Sequence, residues 1–535
     1  MEDDKPSVAY FCMEYGLAEE MKIYAGGLGI LAGDILKTAK EQDWPMIGIG
    51  ILWRQGYTKQ VINEKGRPVD TYPRNDYMYD YLKDTGIKVH VRIKNEEIAC
   101  RVWRLEKYNN APLYLLDTNL EENSNKWITG QLYGWFEEER IAQEIVLGIG
   151  GVKALRKLDF EPDIYHFNEG HAVLAGTELI KEKTKSGLSF EEAYSQTREE
   201  IVFTTHTPVE KGNEEHSMRV MKYMGAFNGI SEEEMERIGG NPFNMTAAGL
   251  RLSKAANGVS QIHKETARGM WEHVDDRPSI QGITNGIHRD TWVDSEITGA
   301  EGKEEIWKRH TELQRALIDY VKDRTGVSLD QNKLIIGFAR RAAPYKRANL
   351  IFSNKEKISP HLESGDIQLV FSGKAHPLDD TGKGIITELV DKSEEYPESV
   401  VFLEDYGIEI ARFLTRGVDV WLNNPRRPKE ASGTSGMKAA MNGVLNLSVL
   451  DGWWPEACRH GKNGWQFGDG YEGEDQDEHD RQALYEVLLE EVLPTYYDNK
   501  EQWKRMMLES VASTYHEFSA KGMLEKYYEK LYKPT

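Results

Sequence analysis

With 535 residues, 39% of them hydrophobic and 10% aromatic, the chain can bury sizeable cores, and at about 100–200 residues per domain it should form two or more. The net charge of −21, from 67 Lys+Arg against 88 Asp+Glu, argues against a nucleic-acid or anionic-membrane surface and makes any local cluster of cations informative. Three cysteines, Cys12, Cys100 and Cys458, with no CxxC spacing, do not make a disulfide framework and fit a reducing, intracellular setting. The first residues are acidic where a signal peptide would be basic, and no apolar run is long enough to span a bilayer. A cytoplasmic protein without membrane partners is therefore expected.

In chain order, Val8 to Cys12 reads as a short buried strand. Tyr24-Ala25-Gly26-Gly27-Leu28-Gly29 follows, and then Ile30 to Glu41 with apolar residues at helical spacing. Strand, glycine loop and helix is a phosphate-cradle layout, although a tight turn would use the same residues. Pro45 to Trp53 is the next strand. Residues 87–117 alternate apolar and polar and predict antiparallel strands inserted in the first domain. Three further strands end in polar clusters. They are Asn168-Glu169-Gly170-His171, His206-Thr207-Pro208, and Thr284-Asn285-Gly286-Ile287-His288. Ligands in open α/β sheets gather at such carboxyl ends, while capping or packing is the plainer role for His171.

Residues 302–329 predict a polar helix, and near it lies the expected boundary between domains at 1–325 and 326–535. A fresh strand from Leu334 runs into Arg340-Arg341-Ala342-Ala343-Pro344-Tyr345-Lys346-Arg347. Four cations in eight residues at a strand end, in an acidic chain, predict an anion clamp. Strands at 367–372, 400–404 and 418–422 continue a β-α-β series, a second parallel sheet. The acidic loop 469–480 lacks liganding spacing and is read as solvated surface, so no metal is expected. The last helix, with Phe518, Met523, Tyr527 and Leu531 as its apolar contacts, is expected to pack back on the N-terminal domain.

Between the strand at 418–422 and the strand character of VLNLSVLDG lies Glu430-Ala-Ser-Gly-Thr-Ser-Gly-Met-Lys438. A loop rich in backbone donors opens a helix there, which suits an anion, and a sheltered lysine in that place could form a Schiff base. An ordinary loop-to-helix junction with a surface lysine has the same residue types. The whole pattern is α/β, two Rossmann-like domains facing across a cleft, a layout that serves several transferase and oxidoreductase chemistries.

The motifs, taken together, resemble the α-glucan (glycogen, starch, maltodextrin) phosphorylases, in their short bacterial and archaeal form. EASGTSGMKAAMNG resembles that family's cofactor segment, and YAGGLGILAGD its glycine loop. NEGHAVL, TTHTPVE, ITNGIHRDTW, RRAAPYKR, FSGKAHP and FLEDYG resemble other family motifs in the same order, from residue 24 to residue 451. The resemblance implies a fold of the GT-B glycosyltransferase type and reversible, retaining phosphorolysis of α-1,4-glucan to glucose 1-phosphate. It implies that Lys438 carries pyridoxal phosphate, whose 5′-phosphate acts as the acid–base group. Thr434, Ser435, Gly27 and Arg340 would surround that phosphate, with Tyr406 beside the cofactor. Arg341 and Lys346 would hold the substrate phosphate, with Tyr345 lining the pocket. Glu430, Ser432 and Gly433 would meet sugar hydroxyls, as would His206 and Asn285 from the first domain, with His171 near the glucan. A homodimer is implied, without the long regulatory extension of larger phosphorylases. Arg340 stands where the family usually has lysine, and Ser435-Gly436 replace Gly-Asn. Two other readings share part of the pattern. A nucleotide-sugar-dependent glycogen synthase-like enzyme would carry a second glutamate eight positions after Glu430, where this chain has Lys438, which cannot accept a ribose hydrogen bond. A catalytically silent glucan-binding protein would have no reason to keep the lysine, the cations and the sugar-facing residues together.

Overall fold

The computed structural model describes residues 5–133, 137–209 and 212–533. It divides into two α/β units. The first comprises Met1–Tyr57, Tyr72–Thr284 and Met523–Thr535. Its sheet is built from β1 (Val8–Phe11), β2 (Met46–Ile51), β3 (Lys83–Ile93), β4 (Glu96–Leu105), β5 (Leu113–Asp117), β6 (Ile164–Asn168), β7 (Ile201–Thr204), β8 (Ala255–Gly258) and β9 (Ile280–Gly282). The spatial order is β9-β8-β7-β6-β1-β2-β5-β4-β3. The central strands are parallel, with Val8 opposite Met46 on one side and Ile164 on the other. They are buried along their whole length, which explains their continuous apolar runs.

The antiparallel strands expected over residues 87–117 are present, with β3 pairing antiparallel with β4 and β4 with β5, but they are not a separate insertion. β5 pairs in parallel with β2 and antiparallel with β4, so these strands extend the main sheet. Along β3, exposed and buried residues alternate over its second half, as on an edge strand with one face solvated. The order turns at β1 and β6, whose carboxyl ends lead to the glycine loop and to Glu169-Gly170-His171. Helix α1 (Gly27–Glu41) follows the glycine loop. The chain's last turns belong to this unit, and Tyr532 Oη lies 2.6 Å from His166 Nδ1 on β6.

The second unit comprises Thr58–Thr71 and Asn285–Gly522. Six parallel strands form its sheet: β10 (Leu334–Ala339), β11 (Ile367–Ser372), β12 (Val400–Leu403), β13 (Val420–Asn423), β14 (Leu445–Val449) and β15 (Gly464–Phe467). Their order is β12-β11-β10-β13-β14-β15. The boundary expected at residue 325 is therefore moved. Helix α2 (Lys303–Thr325) belongs to the second unit, because its Leu317 and Val321 pack with Ile410 and Leu414 of α3 (Ile408–Gly417). The hairpin Lys59–Ile62/Pro68–Thr71 also counts with this unit. It is tied there by Asp70–Lys383 at 2.6 Å and by Gln60 Oε1, which accepts from the Ala375 N–H at 2.9 Å. Neither placement shows in local periodicity. Among the described residues no helix is long and apolar enough to cross a membrane.

Candidate active site

In the second sheet the strand order reverses between β10 and β13. In an open α/β sheet that switch point leaves a crevice at the carboxyl ends of the strands. The chain leaving β10 there is Arg340 to Arg347, and the chain leaving β13 runs to Glu430. The topology thus brings together two motifs that are 84 positions apart, Lys346 and Glu430.

Glu430 is the centre of this meeting. Its Oε2 lies 2.7 Å from Arg340 Nη2 and 2.7 Å from Lys346 Nζ, and all three side chains are buried. Burial alone would raise the Glu430 carboxyl. The Arg340 and Lys346 charges outweigh it and hold the group down at about 2. Behind Glu430 stands Asp451, 3% exposed. Its Oδ2 accepts the Glu430 backbone N–H at 2.9 Å and its Oδ1 accepts the Gly452 N–H at 2.8 Å. Burial, then the neighbouring Glu430 charge, push the Asp451 carboxyl up to about 7. Gly452 is glycine for a geometric reason. Its φ is 58°, and a Cβ there would meet the Ser432 carbonyl oxygen at 2.3 Å.

Gly433, at φ 86°, turns the chain into helix α4 (Thr434–Met441), whose N-terminus has no side-chain cap. Thr434 and Ser435 are its first two residues, so their N–H groups belong to the uncapped first turn. Lys438 lies on the same helix, 5% exposed, with Nζ 3.5 Å from the centroid of the Trp292 ring. Tyr406 follows β12, and its hydroxyl is pushed up to about 12 by burial, partly offset by the Arg340 charge. Ser432 Oγ and Asn285 Oδ1 are buried without a hydrogen-bond partner among the described residues. Buried polar atoms of that kind are costly unless something else satisfies them, and both belong to residues expected to bind sugar. Asn285 counts with the second unit rather than with the first domain as expected.

The four-cation clamp needs correcting in one member. Arg347 serves the fold. Its guanidinium reaches Asp480 at 2.6 Å, Asp477 at 2.9 Å and the carbonyls of Asn424 and Pro425. Part of the acidic loop is therefore a buried counter-charge and not solvated surface, since Asp480 is 2% exposed. Arg341 is exposed beside the buried Arg340, and Tyr345 has its ring centroid 4.7 Å from Lys346 Nζ.

In the first unit, His206 Nε2 lies 2.5 Å from Asn168 Oδ1, and the His206 N–H donates to the Glu169 carboxylate. Burial of the ring holds it neutral, down at about 3, so with Nε2 donating to Asn168 the other nitrogen is an acceptor. His171 is likewise held at about 4 by burial, 3.8 Å from Glu214. Gly27 opens α1 and is exposed. The preceding Ala25 and Gly26 N–H groups donate to Glu14 Oε2 at 2.6 and 3.0 Å, so a carboxylate already occupies that part of the glycine loop. Glu144, Glu214 and His216 also converge, within 4.8 Å of one another. Arg140 lies 2.8 Å from Glu214 and His216 Nε2 lies 2.9 Å from Glu144, so these carboxyl groups already have partners in the protein.

A carbohydrate phosphorylase family profile matches residues 296–487. The chain is 39% identical to the maltodextrin phosphorylase of Thermococcus litoralis, over 98% of this chain and 70% of that protein. The chain belongs to the carbohydrate phosphorylase family. It is also 36% identical to the glycogen phosphorylase of Aquifex aeolicus, over 99% of this chain and 86% of that one. A glycogen phosphorylase of Mycobacterium tuberculosis is 36% identical over 99% of this chain and 71% of its own length. The two α/β sheets, the first parallel at its centre with an antiparallel edge and the second parallel throughout, are the two Rossmann-like domains of that family's fold. Within the phosphorylase site, sequence reasoning missed Asp451 and Trp292. Both stand inside family-like motifs, LDG and ITNGIHRDTW, but their roles are three-dimensional.

Proposed function

We propose that this phosphorylase cleaves α-1,4-glucan with inorganic phosphate and releases α-glucose 1-phosphate, with pyridoxal phosphate held by Lys438. The observation that carries the reading is the buried meeting of Arg340, Lys346 and Glu430 at the switch point, beside a helix that bears a buried lysine. Two cations share one carboxylate there, which leaves a net positive charge in a desolvated place and suits an anionic substrate. The residues fit the cofactor. Lys438 is sheltered over Trp292, the α4 N-terminus has no side-chain cap, and Gly436 is obligatory because a Cβ would meet Asn446 Oδ1 at 2.7 Å and Trp453 Nε1 at 2.9 Å.

When bound, the cofactor supplies a phosphate that exchanges the proton with the substrate phosphate. Thr434 and Ser435 offer it backbone N–H groups, and Arg340 contributes charge. Lys346 and Arg341 hold the substrate phosphate, and Tyr345 and Tyr406 exclude water. Glu430, Ser432, Gly433 and Asn285 orient the reacting sugar through its hydroxyls. His206 and His171 are neutral donors or acceptors for the glucan, and Gly27 keeps a close backbone approach open. The protein works in the cytoplasm, as a homodimer.

The test is an assay with maltoheptaose. Glucose 1-phosphate should form with inorganic phosphate and rise on addition of pyridoxal phosphate. Chain extension from a nucleotide sugar, with no product from phosphate, would replace this reading with the synthase-like one. Glucan binding without turnover in either assay would replace it with the silent-binder one.

A further inference from the structure

Glu430 is expected to touch sugar, yet in the structure its carboxylate sits on the cations expected to hold phosphate. Both contacts, to Arg340 and to Lys346, fall on the same oxygen, Oε2, at 2.7 Å each. The carboxylate has about the charge, size and hydrogen-bonding pattern of one edge of a phosphate. We infer that Glu430 is a built-in competitor for the phosphate seat, and that phosphate entry and the release of Glu430 toward sugar are one exchange. This rests on the reading above that Lys346 and Arg341 hold the substrate phosphate, with Arg340 at the cofactor phosphate beside it.

Three features favour an exchange over a permanent ion pair. The backbone of Glu430 is pinned, because its N–H donates to Asp451 Oδ2 at 2.9 Å, so only the side chain need turn. Space beside it is kept by Gly452, where a Cβ would stand 3.1 Å from Glu430 Cγ, tighter than side chains ordinarily pack. Finally, Glu430 spreads one charge over two cations, so Lys346 is left undercompensated and a dianion beside it satisfies it better than Glu430 does. A carboxylate expelled in this way remains buried and needs donors. Sugar hydroxyls are such donors. Phosphate and glucan then favour each other, and by linkage the favour is equal in both directions.

The experiment is calorimetric titration of inorganic phosphate into the cofactor-loaded protein, with and without maltopentaose, for the wild type, E430Q, E430D and K346A. Wild-type affinity for phosphate should rise on adding the glucan. E430Q should bind phosphate about ten-fold more tightly than wild type and lose the glucan effect. E430D keeps the charge but is too short to reach both cations, so it should behave as E430Q does. If E430D binds as the wild type while E430Q binds more tightly, simple repulsion explains the gain and the exchange is wrong. Equal or weaker phosphate binding by E430Q overturns it as well. If K346A binds phosphate like the wild type, the seat itself has been misassigned, which is a separate failure.

Discussion

Lys438 Nζ lies 3.5 Å from the centroid of the Trp292 ring, although the two residues are far apart in sequence. A desolvated ammonium over an indole face gains about 1–2 kcal/mol, and the ring keeps water from the lysine whatever the lysine carries. W292A should therefore weaken retention of pyridoxal phosphate about ten-fold, and W292F should restore most of it. Cofactor fluorescence during dialysis measures this. Equal retention by W292A would show that the ring does not shelter the lysine.

The two buried carboxylates titrate in opposite senses. Glu430 is held at about 2 against an ordinary 4.5, so its share of stability is present above pH 4.5 and is lost as pH falls toward 2. By linkage that share is about 3 kcal/mol. Asp451 is raised to about 7 from 3.8. Its share is present below pH 3.8 and is lost as pH rises through 7. Thermal melts from pH 3 to pH 8 should show E430Q losing the acid-side rise and D451N losing the decline that runs from pH 3.8 to about 7. Unchanged slopes in both variants would contradict the charge arrangement.

Arg347 should behave as a fold residue. R347A strands Asp480 without its main counter-charge, and breaking a buried pair costs about 3–5 kcal/mol. Denaturant unfolding should show that loss, while phosphate affinity of the remaining folded protein should stay within about two-fold. A large loss of phosphate affinity without loss of stability would return Arg347 to the clamp.

Gly452 joins the Asp451 anchor to the Ser432 carbonyl at a φ of 58°. G452A must push one of the two aside. We expect a stability loss of about 1–3 kcal/mol, together with a fall in kcat larger than any rise in KM, because Glu430 and Ser432 shift together. Kinetics on maltoheptaose and a denaturation curve check the two halves of this outcome. A variant with unchanged kcat would show that the site tolerates the displacement.

Much of the site could be read from the sequence because its parts are local. The strand ends, the glycine-rich start of α4 and the cation run each declare themselves within about ten residues, and their order carries the resemblance. What the sequence did not show depends on topology. Only the reversal of strand order brings the cations after β10 to Glu430 after β13. Asp451 reads as the end of a strand until the fold sets it under the Glu430 N–H. Arg347 looks like its neighbours until Asp480, 133 positions on, is seen to face it. The hairpin Lys59–Ile62/Pro68–Thr71 has ordinary strand spacing, and nothing local ties it to Ala375 and Lys383. Periodicity gave most elements their bounds, but long-range charge pairing and unit membership left no periodic trace.

The central claim is phosphorolysis, and phosphorus NMR tests it most directly. Cofactor-loaded protein incubated with maltoheptaose and inorganic phosphate should consume phosphate and build the resonance of α-glucose 1-phosphate, with the α configuration retained. No loss of phosphate, or free glucose in place of the phosphate ester, would contradict the account.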